Sequence, residues 1–495
     1  MASQQPAKAD KILIIGAGCF GLSSAYHLLK SGYTNVVVVD QSDTLPAPNA
    51  ASTDLNKIVR TSYSDIVYTK LAAEAIETWK DRDVWGGVYH ECGVLLVGAP
   101  SSTSSESKYH VKALSNDLSL NLPITSLPTR ESFEEEFGPQ LCKLLGSTVI
   151  PPTSVAPTLS DGPTSQNRKN GLEEKLQGLN LESLQSQQPS TTTGAYIAHT
   201  AGWAAAANGI KTLMSHVSAL GAEIRAGVKV TGFSYAESES TESREVRGVK
   251  VEGDSDIEAD WIIVASGSWT ASSFASSFPT SSSSELAKVG LGKKLLATGQ
   301  CLATIQLSPS EAETYRNFPV ILDWSSGFYV FPPNEDNVVK AAIHAAGYIN
   351  PQSLSNTSDV ISTPVTLDSE PNSSHLRIPA QASALLREHL RSVYPQLADK
   401  EWLGTRVCWY TDTPDGNWII DYVPGSHNVL FATGGSGHAY KFLPIIGSIV
   451  QKRLEGTLED ELADKFSFTR DFSGKDLSRE GQEPALLDFS SLSPV

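Results

Sequence analysis

Residues Lys11 to Asp40 read KILIIGAGCFGLSSAYHLLKSGYTNVVVVD, and this stretch narrows the possible folds more than any other. Ile12–Ile15 is a short apolar run suited to a buried parallel strand. Gly16, Gly18 and Gly21 follow with the spacing G-x-G-x-x-G, then a helix-forming segment, then a second apolar strand, Val36–Val39. Gly16 permits a tight turn, Gly18 lets the backbone approach a pyrophosphate, and Gly21 lets helix and strand pack closely. The helix N-terminus supplies free N–H groups and a positive dipole end for phosphates. Asp40 closes the unit where a carboxylate accepts ribose hydroxyls, which favours FAD or NAD over NADP.

A chain of 495 residues divides into two or more domains. The net charge of −17 argues against nucleic-acid or anionic-membrane partners. No apolar run reaches the ~18 residues of a membrane span. The polar start MASQQPAKADK reads against a secretory signal, and SLSPV is no peroxisomal tripeptide. Cysteines at 19, 92, 142, 301 and 408 show no framework spacing, as in a reducing compartment. A cytoplasmic monomer is expected.

Periodicity places a helix near Thr69–Lys80, a strand at Val94–Val97 and a helix from about Ala204 to Leu220. Strands follow at Lys229–Phe233 and 260–264, then an antiparallel series between about Thr298 and Ile349 and an amphipathic helix over 383–397. Residues 100–193 are long and polar, as in a lid or mobile insertion. The turn Glu237–Arg244 and the serine run Ser281–Ser284 read as a hairpin tip and a domain crossing. The predicted fold is mixed α/β, with a Rossmann-type domain from 1–88, 195–278 and 412–495. A second domain on an antiparallel sheet takes 89–194 and 279–411.

The segments CWYTDTPDGNWIID (408–421) and GGSGHAYKF (434–442) are the most specific text in the chain. With GAGCFG, NKIVRTSY, AGWAAA, VASGSW, GFYVFP and KAAIH, they resemble the monomeric sarcosine oxidase family. That family includes pipecolate and saccharopine oxidases and the fructosyl amino acid oxidases, or amadoriases. The resemblance implies bound FAD, attached covalently through Cys408, with Lys57, Gly435, Gly437 and Lys441 beside Gly16, Gly18, Gly21 and Asp40 at the cofactor. It implies that Arg60 and Lys441 hold a substrate carboxylate, that Lys340 assists reaction with oxygen, and that His344 and Tyr329 border the substrate. Arg406, two residues from Cys408 on the same strand face, would supply a positive field for the thiolate.

The chemistry so implied is oxidation of a secondary amine in an amino acid to an imine, with molecular oxygen reduced to hydrogen peroxide. An N-methyl aromatic amino acid closing a ring in an alkaloid-type secondary-metabolite pathway, and a fructosyl amino acid, are the alternative substrates. A flavoprotein sensor and a dehydrogenase using another acceptor are the rival classes. GGSGH lacks the second glycine of a serine nucleophile elbow, and no HExxH or clustered Cys/His pattern appears, so neither a hydrolase nor a metal site is expected.

Overall fold

The computed structural model describes residues 5–98, 105–146, 148–150, 194–236, 246–277, 290–353, 360–366, 377–479 and 483–492. The expected hairpin tip, the serine run and the stretch 165–193 lie outside them.

The opening stretch folds as its pattern requires. Ile12–Ile15 pairs in parallel with Val36–Val39 on one side and Trp261–Val264 on the other. Glu223–Arg225 and Val429–Thr433 extend this sheet, and Ile419–Tyr422 closes it as an antiparallel edge. Alternation divides its residues between two cores. Ile12 and Ile14 pack with the helices Cys19–Lys30, Ala206–Ala219 and Ile446–Leu454, while Leu13 and Ile15 face Phe233, Phe274 and Phe431. Burial on both faces explains why these strands are uniformly apolar.

The second sheet has ten strands. Its long member, Leu296–Gln306, pairs antiparallel with Val338–Ile343 and with Gly404–Asp412. Val94–Val97 joins it between Val320–Asp323, in parallel, and Ala195–Ala198, antiparallel. The helix Ala380–Val393 covers one face through Ala382, Leu386, Leu390 and Val393. A separate three-stranded sheet, Asn56–Val59, Gly202–Ala205 and Tyr89–His90, carries the NKIVR motif.

Two expectations change. The polar region is not an excursion throughout: besides the acidic helix expected at Glu131–Phe137 and found as Arg130–Phe137, Ser105–Ser119 is a helix and Ile124–Leu127 is a strand of the large sheet. Phe133 and Leu127 are fully buried there, so local polarity concealed a one-sided apolar contribution. The two sheets also interleave in shorter pieces than the expected ranges. Ala195–Ala198 lies in the large sheet, and the C-terminal Ala485–Leu486 returns to pair with Tyr348–Ile349.

Candidate active site

A cavity of about 1150 Å³ opens beside the glycine turn, with Gly16, Gly18, Asp40, Gly435, Gly437 and Lys57 in its wall. Gly16 takes φ +111°, and a Cβ there would stand 2.4 Å from the Ala265 carbonyl oxygen. A Cβ on Gly21 would stand 1.8 Å from the Gly16 carbonyl oxygen, so Gly21 serves helix packing and not the wall. The helix Cys19–Lys30 begins at Gly18 with no side-chain cap. Its first N–H groups are therefore left for an anion. The Asp40 carboxylate accepts the Ala17 N–H at 2.8 Å and the Ser42 N–H at 2.9 Å. It thereby braces the turn while keeping lone pairs for hydroxyls. A bare backbone turn, uncapped donors and a wall acid fit a dinucleotide.

A second cavity of about 530 Å³ adjoins the first. Lys57, Tyr410, Gly437, His438 and Tyr440 line both. Arg60, Lys441, Tyr329 and His344 line the second, so four of the predicted residues converge from two sheets and the short helix Ala439–Phe442. Arg60 is nine-tenths buried, donates to the Ser62 carbonyl, and lies 4.8 Å from the Trp324 ring and 5.0 Å from that of Tyr63. Lys441 donates to Tyr63 Oη at 2.8 Å and to the His438 carbonyl at 3.3 Å. Burial first, then Arg60 and Lys57, push its ammonium well below the usual lysine range. Neither Arg60 nor Lys441 is ion-paired with a carboxylate among the described residues. Buried, uncompensated cations are costly, and an incoming anion offsets that cost.

The two histidines of this wall are neutral. Burial and then Arg479 bring His344 down to about 3, and burial and then Lys441 bring His438 to about 3. His344 Nε2 meets Ser478 Oγ at 3.0 Å, and His438 Nδ1 meets Tyr63 Oη at 3.1 Å.

Lys340 takes a different place from the one its motif suggests. It is wholly buried and lines neither cavity, with its ammonium 2.6 Å from Asp54 Oδ2 and 2.7 Å from the Asn56 carbonyl. The lysine that faces both cavities is Lys57, also paired with Asp54 at 2.8 Å. Cys408 is 1% exposed, and Lys57 Nζ lies 3.9 Å from its sulfur. Arg406 instead spends its guanidinium on the Thr53 and Ala50 carbonyls, so the positive field expected from it comes from Lys57.

Other members of the site had no separate signal. Tyr63 and His438 sit inside motifs that were read for other residues, and Asp54 stands two residues before NKIVRTSY. Tyr109 enters the wall from the helix Ser105–Ser119, in polar text. Asp476 and Ser478 arrive from a tail whose sequence is unremarkable, pinned by Arg479, which binds Asp412 at 2.8 and 2.9 Å and Asp476 at 3.1 Å.

Fold and site together define an FAD-dependent oxidase acting on CH–NH donors. The chain belongs to the FAD dependent oxidoreductase family, whose model matches residues 11–453. It is 31% identical over 475 residues to L-saccharopine oxidase of Schizosaccharomyces pombe, covering 94% of each chain. It is 26% identical to amino acid oxidase imqH of Aspergillus flavus, over 88% of this chain and 91% of that one. Among solved structures, a modified fructosyl peptide oxidase from Aspergillus nidulans superposes with TM-score 0.76 at 24% identity over 99% of both chains, a likeness of fold. These matches agree with the resemblance read from the motifs. Among the described residues no helix is long and apolar enough to cross a membrane, and no group of three or more His, Cys, Asp or Glu side chains is placed to hold a metal.

Proposed function

We propose that the chain oxidises the secondary amine of an amino acid, with Arg60 and Lys441 binding its carboxylate. The observation that carries this reading is the pair of buried cations without an acid partner in a cavity that shares its wall with the nucleotide cavity. Arginine offers a planar fork and lysine a point charge, so together they fix the orientation of a carboxylate. Tyr329, Trp324 and Tyr109 wall the cavity with aromatic surface and exclude water. A substrate ammonium entering among Lys57, Arg60 and Lys441 is disfavoured as a cation, so the amine sheds its proton and becomes a hydride donor.

FAD, when bound, supplies the two-electron acceptor that oxygen can reoxidise. The balance is a CH–NH unit becoming C=N with loss of two electrons and two protons, which convert dioxygen to hydrogen peroxide. Covalent attachment through Cys408, with Lys57 beside its sulfur, belongs to the same proposal, as does a monomeric, cytoplasmic enzyme.

Saccharopine is the first substrate to test, because the 31% identical relative is named for it. Pipecolate, sarcosine, N-methyl aromatic amino acids and fructosyl amino acids follow. The test is anaerobic bleaching of the flavin absorption band by each acid and its amide, then peroxide release in air. Reduction by amides as fast as by acids, or by none of the compounds, rejects the reading.

A further inference from the structure

The wall of the second cavity carries five cations, Lys57, Arg60, Lys112, Lys441 and Lys475, and three acids, Asp65, Asp415 and Asp476. Each acid is met by a cation from outside that wall. Asp65 pairs with Lys465, Asp415 with Arg470 through both oxygens at 2.7 and 2.9 Å, and Asp476 with Arg479 at 3.1 Å. Of the five cations, Lys57 has the carboxylate of Asp54, which it shares with Lys340. Arg60, Lys112, Lys441 and Lys475 are paired with no carboxylate among the described residues. The cavity is thus left positive in a chain whose net charge is −17, so composition does not produce the excess.

These four cations divide by depth. Arg60 and Lys441 are 9% and 6% exposed, whereas Lys112 and Lys475 are exposed to solvent. Lys112 follows Tyr109 by three residues on the helix Ser105–Ser119, and residues so spaced share a helix face. Both line the cavity. Burial raises the Tyr109 hydroxyl, Arg60 opposes the rise, and Asp476 adds to it. The helix that carries Lys112 and the tail that carries Lys475 therefore meet beside the clamp. The volume of about 530 Å³ falls within the ~300–1,000 Å³ of sites that enclose a whole small molecule. A carboxylate seated on Arg60 and Lys441 leaves room for a chain that runs outward.

We propose that Lys112 and Lys475 form a second anion subsite at the cavity mouth, which takes a carboxylate at the far end of the substituent on the substrate nitrogen. The preferred substrate is then an amino acid whose secondary amine joins it to another acid-bearing chain. This rests on the reading above that Arg60 and Lys441 hold the first carboxylate. Exposed ammoniums are hydrated and screened by salt, so each contributes at most about fivefold in affinity. They select by charge and leave the shape of the substituent free.

The test titrates holoenzyme with thioether isosteres of N-(ω-carboxyalkyl)glycines, in which sulfur replaces the amine and nothing can be oxidised, and with their ω-amides. Chain length is graded, and the flavin spectrum reports binding. At the best length the ω-acid should bind wild type at least fivefold tighter than the ω-amide. That preference should shrink as salt rises from about 0.01 to 1 M, over which the screening length falls from ~30 to ~3 Å. Lys112→Gln and Lys475→Gln should each lower the preference, and the double variant should abolish it while binding the ω-amides as wild type does. Lys112→Glu/Lys475→Glu should favour an ω-ammonium over an ω-carboxylate. Equal binding of acid and amide by wild type at every length, or a preference that survives in the double Gln variant, overturns the proposal. So does a loss that is equal for acid and amide. If no N-alkyl amino acid bleaches the flavin, the amine-oxidase reading falls, and the thioether titration still decides the subsite.

Discussion

The Lys57 ammonium lies 3.9 Å from the Cys408 sulfur, although 351 residues separate them in the chain. A thioether between this sulfur and the flavin survives denaturation of the protein. Protein precipitated with acid should therefore keep its yellow colour, and Cys408→Ala should release all flavin to the supernatant. Lys57→Met should lower the covalently bound fraction, read by absorbance and mass spectrometry. Wild-type protein that releases all its flavin removes the covalent assignment.

The carboxylate clamp predicts a split by substrate charge. Arg60→Ala or Lys441→Ala should weaken carboxylate substrates and inhibitors by about 1.5–3 kcal/mol per charged hydrogen bond lost. The corresponding amides should bind wild type and variants alike, as titration of the flavin spectrum would show. Tyr63→Phe, which removes the hydroxyl 2.8 Å from Lys441 Nζ, should produce a smaller loss of the same kind.

Arg479 neutralises two acids that are themselves mostly buried, Asp412 and Asp476. Arg479→Ala leaves both without their cation, and breaking a buried ion pair in this way costs about 3–5 kcal/mol. The variant should lose stability in urea by that order. It should also bind substrate more weakly, because Asp476 and Ser478 line the cavity. Binding that survives intact would show that the tail is not a working part of the wall.

Acid sensitivity follows from the two neutral histidines. His344 and His438 are both brought down to about 3 from an ordinary 6.5, chiefly by burial. The unfolded chain binds protons that the folded chain refuses. Their contribution to stability is complete above about pH 6.5 and drains away as pH falls from there towards 3. Melting temperatures measured from pH 8 to 4 should fall below pH 6.5, and His438→Gln should flatten the slope. An unchanged slope in that variant would mean His438 is already protonated in the fold.

The strand, glycine turn, helix and acid of residues 11–40 were legible in the sequence because the glycine spacing, the helix and the Asp40 bond to the Ala17 N–H all lie within that stretch. Gly16 and Gly21 meet backbone only a few residues away or on the adjoining strand, and alternation alone assigns Ile12 and Leu13 to opposite cores. Arg60, Lys441, Tyr329 and His344 were found because each sits in a motif that survives as a string. Their convergence is another matter. It depends on the register between Leu296–Gln306 and its two neighbours, and on the small sheet that presents NKIVR. The assignment of Lys57 rather than Lys340 to the cavity wall was decided by Asp54, whose one oxygen draws both ammoniums and which no spacing pairs with position 340. Arg479 and Tyr109 carry no local mark at all. A tail and a polar helix become parts of the site only through burial against distant residues, and burial is a property that tertiary packing confers on a side chain.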